Sequence, residues 1–117
     1  LSIDMYHPSL VTIDDTKINK KELTLNPTNL DDCIYVNYNA HNNKGVAVTR
    51  LYINGELHNT SEEINGKREI YGSSLCALVN PKNPKSKFKV GENTIRCESF
   101  DKSGKGLETF TKVYIQS

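Results

Sequence analysis

The last quarter of the chain constrains the fold most. From Val90 to Ile115 two β-prone runs flank a short glycine-bearing break. After a turn at Gly91-Glu92-Asn93, Thr94-Ile95-Arg96-Cys97-Glu98-Ser99-Phe100 alternates apolar and polar residues. The break is Asp101-Lys102-Ser103-Gly104-Lys105-Gly106, and Leu107-Glu108-Thr109-Phe110-Thr111-Lys112-Val113-Tyr114-Ile115 closes the chain. Period-two runs on both sides of a short Gly-containing loop predict an antiparallel hairpin.

The earlier sequence repeats this grammar. Leu1-Ser2-Ile3-Asp4-Met5-Tyr6 alternates and is stopped by His7-Pro8-Ser9. Val11-Thr12-Ile13 is a short β-prone piece before the turn residues Asp14-Asp15, and Lys20 to Leu25 reads as another short strand. Asp32 to Ala40 is a clear strand in which Ile34, Val36, Tyr38 and Ala40 share one parity and so face the core. Val46 to Ile53 is β-branched and aromatic, and Asn54-Gly55 is the strongest hairpin dipeptide in the chain, with Glu56-Leu57-His58 returning. Thr60 to Lys67 reads as a polar loop, Arg68 to Val79 as a strand broken at Gly72-Ser73-Ser74, and Asn80 to Lys87 as a proline-bearing basic loop. Short strands about ten residues apart, without a helical apolar repeat, predict an all-β sandwich.

Composition narrows the partners. With 117 residues the chain is long enough for one domain with its own core. A net charge of +1 gives no reason to expect nucleic acid, and no apolar run approaches the roughly 18 residues of a membrane-spanning helix. We expect residues 1–117 to be a single domain of a longer polypeptide, monomeric in isolation, with neighbouring domains as its partners. No Cys/His spacing suggests zinc, and no cofactor is expected.

Two stretches together resemble the bacterial Ig-like domain family. Ile34 to Leu57, ending in Tyr52-Ile53-Asn54-Gly55, is similar to the middle of those domains. Gly91-Glu92-Asn93-Thr94-Ile95 through Asp101-Lys102-Ser103-Gly104 is similar to their "G-x-N-x-I…D-x-x-G" hairpin, and Val113-Tyr114-Ile115 to their last strand. The resemblance covers roughly residues 32–115. It implies an immunoglobulin-like sandwich of about seven strands in two antiparallel sheets. It further implies a non-catalytic structural or spacer module of a multidomain surface, secreted or virion protein, hence an extracellular or cell-surface location. Leu1 to Asp31 exceeds the family's usual first strand, so an extra strand or loop is required there.

The histidines His7, His41 and His58 lie in separate turns or strand ends without a nucleophile motif, which reads as three solvated loop histidines. Asp101 could ligate calcium with Asn42 or Asp31 if their loops met, but a carboxylate bonding its own following backbone is the commoner use of such a residue. Lys82, Lys85, Lys87 and Lys89 form a solvated basic run, and Asn59-Thr60-Ser61 satisfies a glycosylation sequon. Cys33 and Cys97 occupy the strands that carry the inter-sheet disulfide of antibody domains, but their parities differ. We expect Cys97 buried and free, Cys33 outward, and Cys76–Cys97 as the one pairing left open.

Alternation places Tyr52, Phe110 and Tyr114 with Arg50 and Arg96 opposite the inward set Leu51, Ile53, Ile95, Val113 and Ile115. If their strands share a sheet, its outer face carries residue types enriched in interfaces. That face is the candidate binding site of an adhesive protein- or carbohydrate-directed module, the alternative to a spacer. Sugar-stacking tryptophan is missing from the sequence, which favours protein as the partner.

Overall fold

The computed structural model describes residues 1–9, 19–62 and 68–117. Within them run eight strands: β1 (Ser2–Tyr6), β2 (Glu22–Leu25), β3 (Cys33–His41), β4 (Val48–Ile53), β5 (Glu56–Glu62), β6 (Ile70–Leu78), β7 (Gly91–Phe100) and β8 (Gly106–Ile115). They form a three-stranded sheet, β1-β3-β6, and a five-stranded sheet, β2-β8-β7-β4-β5. The Val11–Ile13 piece and the Asp14-Asp15 turn lie outside the described residues.

Alternation dictates which faces meet. Ile34, Val36, Tyr38 and Ala40 on β3 are buried, as their common parity requires. Ile34, Val36 and Tyr38 meet Leu51, Ile53, Ile95, Cys97, Val113 and Ile115 from the other sheet in one continuous core. At the Asn54-Gly55 hairpin both residues have positive φ, 51° and 79°, the geometry that twists a two-residue turn the way its strands twist.

The extra N-terminal length is used to change sheets. Met5 and Lys20 exchange two backbone hydrogen bonds of 2.7 Å, and β2 then adds to β8 in the second sheet. This pairing is parallel, so the expectation of about seven strands in purely antiparallel sheets is corrected to eight strands with one parallel pair. On the opposite edge side chains bridge the sheets: Tyr71 donates to Ser61 Oγ (2.7 Å) and His58 Nε2 to the Cys76 carbonyl (3.0 Å).

Two further expectations fail for one reason: cross-strand pairing overrides local polarity. Thr60 to Glu62 continues β5 rather than opening a loop, because Thr60, Ser61 and Glu62 pair with Arg50, Thr49 and Val48. Gly72-Ser73-Ser74 does not break β6, since all three pair with β3. A Cβ at Gly72 would stand 2.5 Å from Asn39 Oδ1, which is what a glycine there relieves.

The strand directions set the poles. Leu1 lies beside Gly106 and Leu107, where β8 starts, in a hollow that also gathers Asn42 and Asp101. β8 then runs ten residues to Ile115, paired with Gly91 and Leu25 at the other end. So β1 begins and β8 ends at opposite poles.

Candidate functional site

The strands carrying the five predicted site residues do share a sheet, and all five side chains occupy its outer face. Register sorts them. Tyr52 pairs with Arg96 and Leu57, and Arg96 with Phe110, so one row crosses four strands as Phe110–Arg96–Tyr52–Leu57. Arg50 lies in the next row, Glu108–Glu98–Arg50–Thr60. Tyr114 lies apart, in the row Thr24–Tyr114–Glu92.

The centre of this face is a carboxylate, neither aromatic nor arginine. Glu98 accepts from Tyr52 Oη at 2.9 Å, from Arg96 at 2.6 Å and from Arg50 at 3.4 Å. The Arg96 guanidinium lies 4.1 Å from the Tyr52 ring centroid, and Arg50 5.7 Å from that of Phe100. Partial burial pushes the Glu98 carboxyl up, but the Tyr52 hydroxyl and the two arginines outweigh it and hold it below the usual range. The same contact with Glu98 raises the Arg96 guanidinium. Alternation alone places Glu98 on the Arg96 side of β7, so this signal was present in the sequence. The outcome is a stiff charged patch bounded by two open apolar ends, Phe110 (55% exposed) and Leu57 (48%).

A second cluster lies at the end of the β1–β3 ladder. Of the three histidines expected to be solvated, His41 is exposed, but His7 and His58 are engaged. Ser9 Oγ lies 2.6 Å from His7 Nδ1, and His7 Nε2 lies 2.9 Å from Asp32 Oδ1. The His7 and Asp32 side chains are only 13% and 23% exposed. Tyr6 pairs with Tyr35 at the end of the β1–β3 ladder, so His7, just after β1, and Asp32, just before β3, emerge at the same end. His7 and Asp32 are thus neighbours by topology although 25 residues apart. Nothing local in the sequence announces the pair.

The other candidates resolve simply. Asp101 Oδ1 accepts from Ser103 N (2.9 Å), Ser103 Oγ (2.6 Å) and Lys105 N (3.1 Å), the expected turn. Asn42 shares its pole, whereas Asp31 precedes β3 at the far end, so the three do not converge. No group of three metal-ligating side chains forms among the described residues. Asn59 of the sequon sits half-buried in β5. The three cysteines are free, with Cys97 buried and Cys76 exposed. The pairing left open, Cys76–Cys97, is excluded: Ala77 takes the inward position on β6 and turns Cys76 to the outer face. There Cys76 neighbours Cys33 diagonally, since it pairs with Tyr35.

Comparison with family models, curated proteins and solved structures finds no match for this chain.

Proposed function

We propose that this chain is a non-catalytic, immunoglobulin-like structural module of a multidomain surface, secreted or virion protein, acting as a spacer. The observation that carries this reading is polar: β1 begins where β8 begins, and β8 ends at the other pole. Attachments before β1 and after β8 are then separated by the length of β8, about 33 Å for ten residues at ~3.3 Å each. The Ig-like assignment is supported by the strand order, with an N-terminal stretch split between both sheets and a closing β7–β8 hairpin. A tandem fusion of two copies through their own ends tests it by small-angle scattering. A spacer gives a maximum dimension near twice the 44 Å long axis; two copies folded side by side would sink the reading.

A second reading, docking of a protein, is favoured by the Phe110–Arg96–Tyr52–Leu57 row. It fits a partner with an apolar stripe flanked by charges of both signs. Replacing Tyr52 and Phe110 by Ala tests this row, with partner capture lost while the melting temperature moves only a few degrees. Capture that survives both changes excludes this face.

A further inference from the structure

We propose that Ser9 is an activated nucleophile, with His7 as its general base and Asp32 as the residue that positions the ring, making it a covalent acylation site at the edge of the sandwich. The inference is independent of the spacer reading. It rests on three contacts. Ser9 N–H donates to His7 Nδ1 at 3.1 Å, so Nδ1 is the bare nitrogen and Nε2 carries the proton. That proton points to Asp32 Oδ1 at 2.9 Å, and the Ser9 hydroxyl reaches the bare Nδ1 at 2.6 Å. A serine on an imidazole lone pair, with the other ring nitrogen held by a carboxylate, is the arrangement that lets a hydroxyl shed its proton during attack.

A turn alone would not supply this. His7 and Ser9 are two residues apart, and an isolated His-Pro-Ser turn leaves the ring free to rotate and to change tautomer. Asp32 immediately precedes β3, and the β1–β3 ladder brings it to the same end as His7, so the folded chain fixes the ring where the unfolded chain cannot. Ser9 also lines an open groove along β2 with Lys20, Glu22 and Thr24.

The step balances without a further reagent. Ser9 Oγ attacks the acyl carbonyl of an activated ester; the Oγ–C bond forms and the bond to the leaving oxygen breaks. The serine proton passes to His7 Nδ1 and is released with the departing alcohol or phenol.

The test uses the whole folded chain and p-nitrophenyl acetate, with acetylated peptides mapped by mass spectrometry. Ser9 should be acetylated at least about a hundredfold faster in the folded chain than in urea, the lower range for general-base assistance. His7→Gln should remove that excess, and Ser9→Ala the adduct itself. Asp32→Asn should slow acetylation and redistribute the His7 ring tautomers in a ¹⁵N spectrum, a change that loss of packing alone would not give. If a variant fails to fold, the folded-against-urea comparison on the unaltered chain decides. Acetylation confined to lysines, or a Ser9 rate equal in both states, overturns the proposal.

Discussion

Two polar hubs five positions apart on β7 illustrate what burial does to a hydrogen-bond network. Asn93 points inward and is fully buried. Its Oδ1 accepts from Lys89 N and Asn54 Nδ2, both at 2.8 Å, and its Nδ2 donates to the carbonyls of Lys89, Gly91 and Val113. Glu98 points outward and gathers Tyr52, Arg96 and Arg50 at the surface. Both hubs satisfy several partners, but only the inner one leaves groups without water when it is removed. The neutral hub therefore stabilises the fold, whereas the charged one organises a surface.

The largest effect should come from Asn93→Ala. Orphaning several partly buried backbone groups costs about 3 kcal/mol or more, read as a lower midpoint in urea at unchanged slope. A loss under about 1 kcal/mol would place the two hubs on a par.

The thiols sharpen the same contrast. Burial pushes the Cys97 thiol up to about 11, and burial followed by the neighbouring Cys76 does the same to Cys33. Burial slows thiolate formation and access at Cys97, so exposed Cys76 should be alkylated before it by iodoacetamide. All three thiols should titrate in denaturant without prior reductant. Early labelling of Cys97 would show that β7 is read in the wrong register.

Acid should touch the outer hub gently. Because the folded Glu98 carboxyl lies below its ordinary value, its contribution is present above the ordinary glutamate range and lost as pH falls through the lower folded value. Asp101, lowered chiefly by its Ser103 hydrogen bond, acts with the same sign. Glu98→Gln should flatten the acid limb of stability by under about 1 kcal/mol and leave neutral-pH folding nearly unchanged. The smallest effect belongs to Tyr38→Phe. Tyr38 is 2% exposed and its hydroxyl has no hydrogen-bond partner among the described residues. Removing it should leave stability unchanged or raise it by up to about 1 kcal/mol in thermal melts. A clear loss would mean that Ser61, Ser73 or Asn59, which surround it, bond it in solution.

What could be read ahead of the structure follows the same division. The Asn54-Gly55 turn and the inward parity of Ile34, Val36, Ile95 and Val113 are written locally, since a turn needs positive φ and a strand has period two. The outer face with Arg96 and Tyr52 followed from the same alternation. Thr60 to Glu62 and Gly72 to Ser74 could not be read this way, because their strand state depends on residues paired from elsewhere. The meeting of His7, Ser9 and Asp32 needs the β1–β3 register, which no single stretch contains.

The chain enters this sandwich at one pole and leaves it at the other. Spin labels on cysteines placed at Ser2 and Gln116, in a Cys33→Ser/Cys76→Ser background, measure it directly by dipolar spectroscopy. One narrow distance of about 30 Å is expected, the span of β8 at ~3.3 Å per residue. A main population under about 15 Å, less than half that span, would place both ends at one pole and contradict it.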